Sequence, residues 1–238
     1  MGLTKARLKN RLLRARLGGR KLPPLAAASL LALEGLDPEA PASSLSYVVL
    51  DLETTGLDPL NDRVVSVGAV RLREGRVRLG QRFAELVNPG RSIPAEAIKV
   101  HGITPDMLTH ARHAGDVFQD FLAFLGRDIL VAHYAPFDLH FINRTMQSLY
   151  GFPLQNLVLD TVLMCQQALL PSDPYGIAGH AKRCALDTLA KRFGLPREER
   201  HTALGDALLT ALVLQRLLAE LEHKGVVKLR QVFSLTGR

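Results

Sequence analysis

Tyr47-Val48-Val49-Leu50-Asp51-Leu52-Glu53-Thr54-Thr55-Gly56-Leu57 puts two carboxylates two residues apart at the end of an apolar run. The run reads as a strand, whose side chains alternate faces, so Asp51 and Glu53 project together. Two like charges side by side cost free energy unless a cation sits between them, and carboxylate oxygens are what hard ions such as magnesium or manganese prefer. Taken alone, Asp-x-Glu also reads as a solvated strand end with two exposed acids.

Two later segments bear on that choice. In Asp128-Ile-Leu-Val-Ala-His133-Tyr134-Ala-Pro136-Phe137-Asp138 an apolar strand meets a turn marked by Pro136, and Asp138 opens a helix running to Tyr150. In Arg200-His201-Thr-Ala-Leu-Gly-Asp206-Ala a histidine and an aspartate open another helix. His201 and Asp206 are five residues apart, about 140° around an ideal helix, so His201 belongs just before the first turn and leans toward whatever Asp206 holds.

On these three ordered motifs, Asp51-Leu-Glu53-Thr-Thr-Gly, Ala132-His-Tyr-Ala-Pro-Phe-Asp138 and His201-Thr-Ala-Leu-Gly-Asp206, the chain resembles the DEDDh (DnaQ-like) family of 3′-to-5′ exonucleases. The likeness covers residues 46 to 220. It implies a two-metal phosphodiesterase site for Mg2+ or Mn2+, because two cations activate water, screen the phosphate and stabilise the leaving oxygen. By matching position, Asp51, Glu53 and Asp206 hold one ion, while Asp51 bridges to a second that Asp138 holds directly or through water. His201 matches the general base, since imidazole exchanges a proton near neutral pH.

The same resemblance assigns Thr54, Thr55 and Gly56 to contacts with the terminal nucleotide and Leu57 to a wedge against its base. Thr-Gly also simply makes a turn after a strand. Phe137 is placed to stack on a base or to pack in the core. His101, in Val100-His-Gly-Ile-Thr-Pro105, either touches substrate or serves the turn before a helix start. Tyr134 departs from the family pattern, which has Asn after the His, and this leaves sugar contacts and DNA-versus-RNA preference open.

Asp160 and Asp187 read as helix-capping aspartates, and His133 as a hydrogen-bonded structural histidine. Cys165 and Cys184 form no Cys-x-x-Cys, so reduced thiols are expected. Apolar runs at 47–52, 63–72 and 76–87 predict three successive strands. Helices follow near 94–101, 104–110 and 115–125, a strand at 128–133, a helix at 136–150, a strand near 157–160, and helices near 161–169, 185–193 and 202–221. That order is α/β, a mixed sheet flanked by helices, and agrees with the ribonuclease H-like fold the resemblance implies. Pro171 to His180 is rich in Pro and Gly and predicts a surface loop near the site.

Length allows one catalytic domain, residues 46–222, with a basic helical extension at 1–45 and a tail at 223–238. The net charge of +7 is concentrated in residues 1–24, which hold eight Lys or Arg and no acid. Nucleic-acid contact, docking on an acidic partner or membrane surface, a transit peptide, and a helix packed on the body all compete for this arm. The lack of a long apolar stretch or a signal peptide's hydrophobic segment points to a soluble, non-secreted protein without membrane insertion, and the likeness of the body to bacterial enzymes of the family implies the cytoplasm.

The expected activity is release of nucleoside 5′-monophosphates from 3′ ends, chiefly of single-stranded or frayed DNA. Trimming of RNA, or a polymerase-bound proofreading and assembly subunit, are the alternatives. A DNA polymerase or sliding clamp is the corresponding partner, although Arg230-Gln-Val-Phe-Ser-Leu235 has the wrong order for a clamp-binding peptide.

Overall fold

The computed structural model describes residues 3–18, 20–170 and 180–236. Its centre is β1 (Ser46–Thr54), whose apolar residues Tyr47 to Leu50 are buried to within 0 % exposure, as the uninterrupted run requires of a strand covered on both faces. β2 (Val64–Arg73) pairs antiparallel with it, and β3 (Arg76–Asn88) pairs antiparallel with β2. β5 (Ile129–Ala132) and β6 (Val158–Asp160) run parallel to β1 on its other side. With β4 (Arg112–His113) at the far edge the order is β4-β3-β2-β1-β5-β6.

Helices cover both faces. One core joins Tyr47, Val49, Val131 and Leu159 to α6 (Thr161–Leu169), α8 (Leu186–Phe193), α9 (Ala203–His223) and α10 (Leu229–Thr236). The other joins Val48, Leu50 and Leu130 to α4 (Ala114–Leu125) and α5 (Ala135–Tyr150), with Val117, Phe118, Phe121, Leu122 and Leu125 making the helical stripe of α4. Gly126 and Gly151 end these two helices at positive φ. The short helices α3 (Ala95–His101) and α7 (His180–Arg183) complete the body. The mixed sheet flanked by helices is the ribonuclease H-like arrangement expected.

The basic arm is folded onto the body. In α1 (Leu3–Arg16) Leu3 is buried in the first core, while Leu13 and Leu17 pack against the second. Buried Asn10 donates to Gln155 at 3.1 Å. Leu8 and Leu12 face outward. From α2 (Pro24–Leu30) Ser29 donates to Asn156 at 3.3 Å, and Arg127 donates to the carbonyls of Leu31 and Glu34. These contacts put the arm at the N-terminal ends of β5 and β6.

Four expectations need correction. Cys165 and Cys184, fully buried in the first core, form a disulfide rather than two thiols. The expected helix at 104–110 is only a 3-10 turn, Asp106–Leu108, and β4 is too short to leave a pattern. Residues 229–236 form a helix whose Leu229, Val232 and Phe233 are core, so the apolar pair of the clamp-like peptide faces inward. Asp160 does cap α6, accepting the Val162 amide at 2.8 Å, but Asp187 lies inside the first turn of α8 and pairs with Arg200 instead. The expected loop at 171–179 lies outside the described residues. Among the described residues no helix is long and apolar enough to cross a membrane.

Candidate active site

β1 extends beyond its parallel partner β5, which it meets only through Val49. Asp51 and Glu53 therefore stand past the paired stretch, on the face that α9 covers. One oxygen from each of Asp51, Glu53 and Asp206 lies within 4.8 Å of the others, close enough to share a cation. Asp206 reaches them because the first turn of α9 comes close to the sheet. Gly68 of β2 is the register partner of Asp51, and a Cβ there would collide with the backbone of Ala203 and Leu204.

Asp138, in the first turn of α5, is buried at 3 % exposure. Burial raises its pKa to about 8, the backbone amides of Asp138 and Leu52 oppose the rise, and the charges of Asp160 and Glu53 add to it. The Leu52 contact sets this carboxylate beside β1. Asp51 is pushed well above the usual range by burial and then by Asp138, Asp206 and Glu53. Glu53 rises to about 7, through burial and then Asp206, with Arg200 opposing. Acids that repel one another this strongly out of water are suited to divalent cations. Asp206 Oδ1 is buried and is met by the Arg200 guanidinium, so this oxygen already draws a cation.

His201 lies outside this cluster. It precedes the Thr202 cap in a left-handed conformation, φ 63°, with its side chain exposed. Its link to the acids is its backbone N–H, which donates to Asp206 Oδ2 at 3.3 Å. His133 is the structural histidine expected: its Nδ1 lies 2.9 Å from the Thr161 hydroxyl, and burial, then the Arg200 charge, holds its pKa near about 4.

Beside the acids is a cavity of about 510 Å³ whose lining includes Glu53, Thr54, Thr55, Gly56, Leu57, His101 and Phe137. All six residues assigned to substrate contact thus meet in one place. The threonine hydroxyls shape the loop itself, Thr54 donating to the Gly56 carbonyl at 2.6 Å and Thr55 to Asp62 at 2.7 Å. A side chain at Gly56 would displace the Asp62 carboxylate that accepts from Thr55. His101 accepts the Ile103 amide at Nδ1, which makes its buried Nε2 the ring's donor, facing the Thr54 carbonyl without full hydrogen-bond geometry. Burial lowers its pKa, against the Thr54 carbonyl. Phe137 packs edge-on with Phe141 at 5.2 Å and lines this cavity and a neighbouring one with Leu57, Pro59, Tyr134, Pro136 and His140. It belongs to the core and to the surface at once.

Arg200 and Arg144 escaped the reading of the sequence. Arg200 joins Asp187 to Asp206 by ion pairs. Arg144 donates to the carbonyls of Pro59 at 2.7 Å and Leu60 at 3.0 Å, holding the loop that displays Leu57. Neither lies in a motif; an arginine next to a candidate base was the one available signal.

The exonuclease family model RNase_T matches residues 48–214. A DNA polymerase III subunit epsilon-like protein of Rhodobacter capsulatus is 44% identical over 191 residues, 79% of this chain, which spans only 26% of that protein. The DNA polymerase III subunit epsilon of Rickettsia conorii is 36% identical over 183 residues, covering 74% of this chain and 75% of its own. Among solved structures, the nuclease domain of 3′hExo, a DEDDh family member bound to rAMP, superposes with a TM-score of 0.62 at 16% identity, over 76% of this chain and 94% of that one. Exonuclease X in complex with 5′ overhanging duplex DNA gives 0.57 at 22% identity, over 78% and 97%. Membership implies dependence on divalent metal, which the acidic cluster can hold. With the match running from β1 into α9 and so enclosing every acid of the cluster, the chain belongs to the RNase_T exonuclease family, alongside the epsilon subunit of DNA polymerase III.

Proposed function

We propose that this chain is a 3′-to-5′ exonuclease that releases nucleoside 5′-monophosphates from single-stranded or frayed DNA, using Mg2+ or Mn2+ held by Asp51, Glu53, Asp138 and Asp206. The observation that carries the reading is the adjacency of three clustered carboxylates to the cavity lined by Leu57, His101 and Phe137. When bound, the ions screen the phosphodiester's charge and make water acidic enough to attack at neutral pH. Phe137 and Leu57 hold the terminal base by apolar contact without selecting its sequence. His101 offers its Nε2–H, which makes no hydrogen bond of full geometry within the protein, to an oxygen of the nucleotide. His201 takes the proton of the attacking water after its imidazole turns inward from its exposed position.

DNA is favoured because one relative is a DNA polymerase III subunit epsilon and another is named for its likeness to that subunit. A polymerase partner is the matching proposal for assembly. Matched DNA and RNA oligonucleotides in Mg2+ and in Mn2+, with product identification, test the reading. DNA should be shortened from its 3′ end to 5′-monophosphates, and chelator or Asp51→Ala should lower turnover by orders of magnitude. His201→Ala should lower kcat by about 10²–10⁴-fold with little change in metal binding. Undiminished activity in chelator would discard the mechanism, and faster turnover of RNA would reassign the substrate.

A further inference from the structure

We infer that Arg200 is a built-in competitor for the divalent ion at Asp206, held in place by Asp187. The inference rests on the metal reading of the acidic cluster. Arg200 is 17% exposed at its side chain and grips Asp187 with two nitrogens, Nε to Oδ1 at 2.8 Å and Nη2 to Oδ2 at 3.3 Å. That fork leaves Nη1, which lies against Oδ1 of Asp206. The contact is an ion pair at a buried oxygen that has no other hydrogen-bond partner. Asp187 therefore sets the guanidinium through two nitrogens, and Asp206 receives its charge through the one that remains.

A guanidinium keeps its charge at any ordinary pH, so only movement removes it from a carboxylate. A divalent ion at Asp206 must approach an oxygen that Nη1 already touches, and the two cations repel in a site with little water to screen them. Arg200 retains its grip on Asp187 while it gives up Asp206. The second oxygen of Asp206 accepts the His201 amide, so displacing Arg200 removes one of the two holds that the Arg200–His201 segment has on that carboxylate. A residue at φ 63° has a strained backbone that such loosening relieves. Arg200 thus acts as a positioning residue that sets metal affinity and ties metal loading to the placement of His201.

Calorimetric titration with Mn2+ in the absence of nucleic acid tests this on the full chain. Arg200→Gln, which keeps polarity and loses charge, should bind Mn2+ about tenfold more tightly than wild type, and its melting temperature should rise more on adding Mn2+. Arg200→Lys, which keeps the charge, should stay within about threefold of wild type. Should Arg200→Gln not fold in chelator, Arg200→Met removes the charge with most of the apolar stem intact. Unchanged or weaker Mn2+ binding in the uncharged variant overturns the competitor role, as does a Lys variant that gains as much as the Gln variant. Absence of Mn2+ binding in wild type and uncharged variant alike overturns the metal site itself.

Discussion

Gly68 lies opposite Asp51 in the β1–β2 ladder, and the backbone of Ala203 occupies the space that a side chain at 68 would need. The missing side chain lets the start of α9 sit on the sheet three residues before Asp206. Gly68→Ala should therefore move that turn away, destabilising the protein by about 1–3 kcal/mol through overpacking. Displacing Asp206 by about 1 Å should cost on the order of 100-fold in kcat. Urea unfolding and steady-state rates measure both, and an Ala variant with wild-type rates would show that close approach is dispensable.

The acids make stability fall as pH rises. Glu53 titrates at about 7 and Asp138 at about 8 in the fold, against ordinary values of 4.5 and 3.8. The folded state keeps protons that the unfolded chain has already released, so their contribution is full below the ordinary values and is lost as pH climbs through the folded ones. In chelator the melting temperature should drop between about pH 5 and 8, and Mn2+ should cancel or reverse the drop by favouring the deprotonated acids. A flat profile in chelator would mean that the cluster is not mutually strained.

Arg144 should matter for KM more than for kcat. Its loss frees the carbonyls of Pro59 and Leu60, so Leu57, which lines both cavities, loses its fixed position. Arg144→Ala should raise KM several-fold with kcat nearly unchanged. Arg144→Lys should restore only part, because an ammonium cannot reproduce the planar fork. Equal loss of kcat and kcat/KM would instead place this loop in the transition state.

Deleting residues 1–24 should lower the melting temperature on the order of 10 °C, because Leu3, Leu13 and Leu17 leave apolar contacts behind. Saturated turnover by the surviving folded protein should be unchanged. An unaltered melting temperature would mean that the arm is only loosely attached.

The central strands were legible because Tyr47 to Leu52 and Val64 to Leu72 are long apolar runs, and the four carboxylates because their spacing sits at element ends. Arg200 and Gly68 were not, since each acts through a contact made far away along the chain. Cys165 and Cys184 stand 19 positions apart without a motif, and only the fold brings their Cα atoms to 5.8 Å. Residues 229–236 carry helical periodicity, yet as a short run they gave no sign that Phe233 would be covered. The backbone at His201 depends on how the chain enters α9, which residue type does not disclose.

The position of the arm gives the molecule an electric axis. Its exposed bases, Lys5, Lys9, Arg11 and Arg16 among them, gather where β5 and β6 begin, and the acids gather at the other end of β1. β1 has nine residues, about 30 Å from end to end, while charges are screened over about 8 Å at physiological salt. A polyanion drawn to the basic end is therefore delivered to the wrong side for cleavage, and a short oligonucleotide gains nothing from that attraction. Only a strand long enough to run along the flank of the sheet would touch both ends at once, so any hold on nucleic acid at the arm would be physically separate from chemistry at the acids.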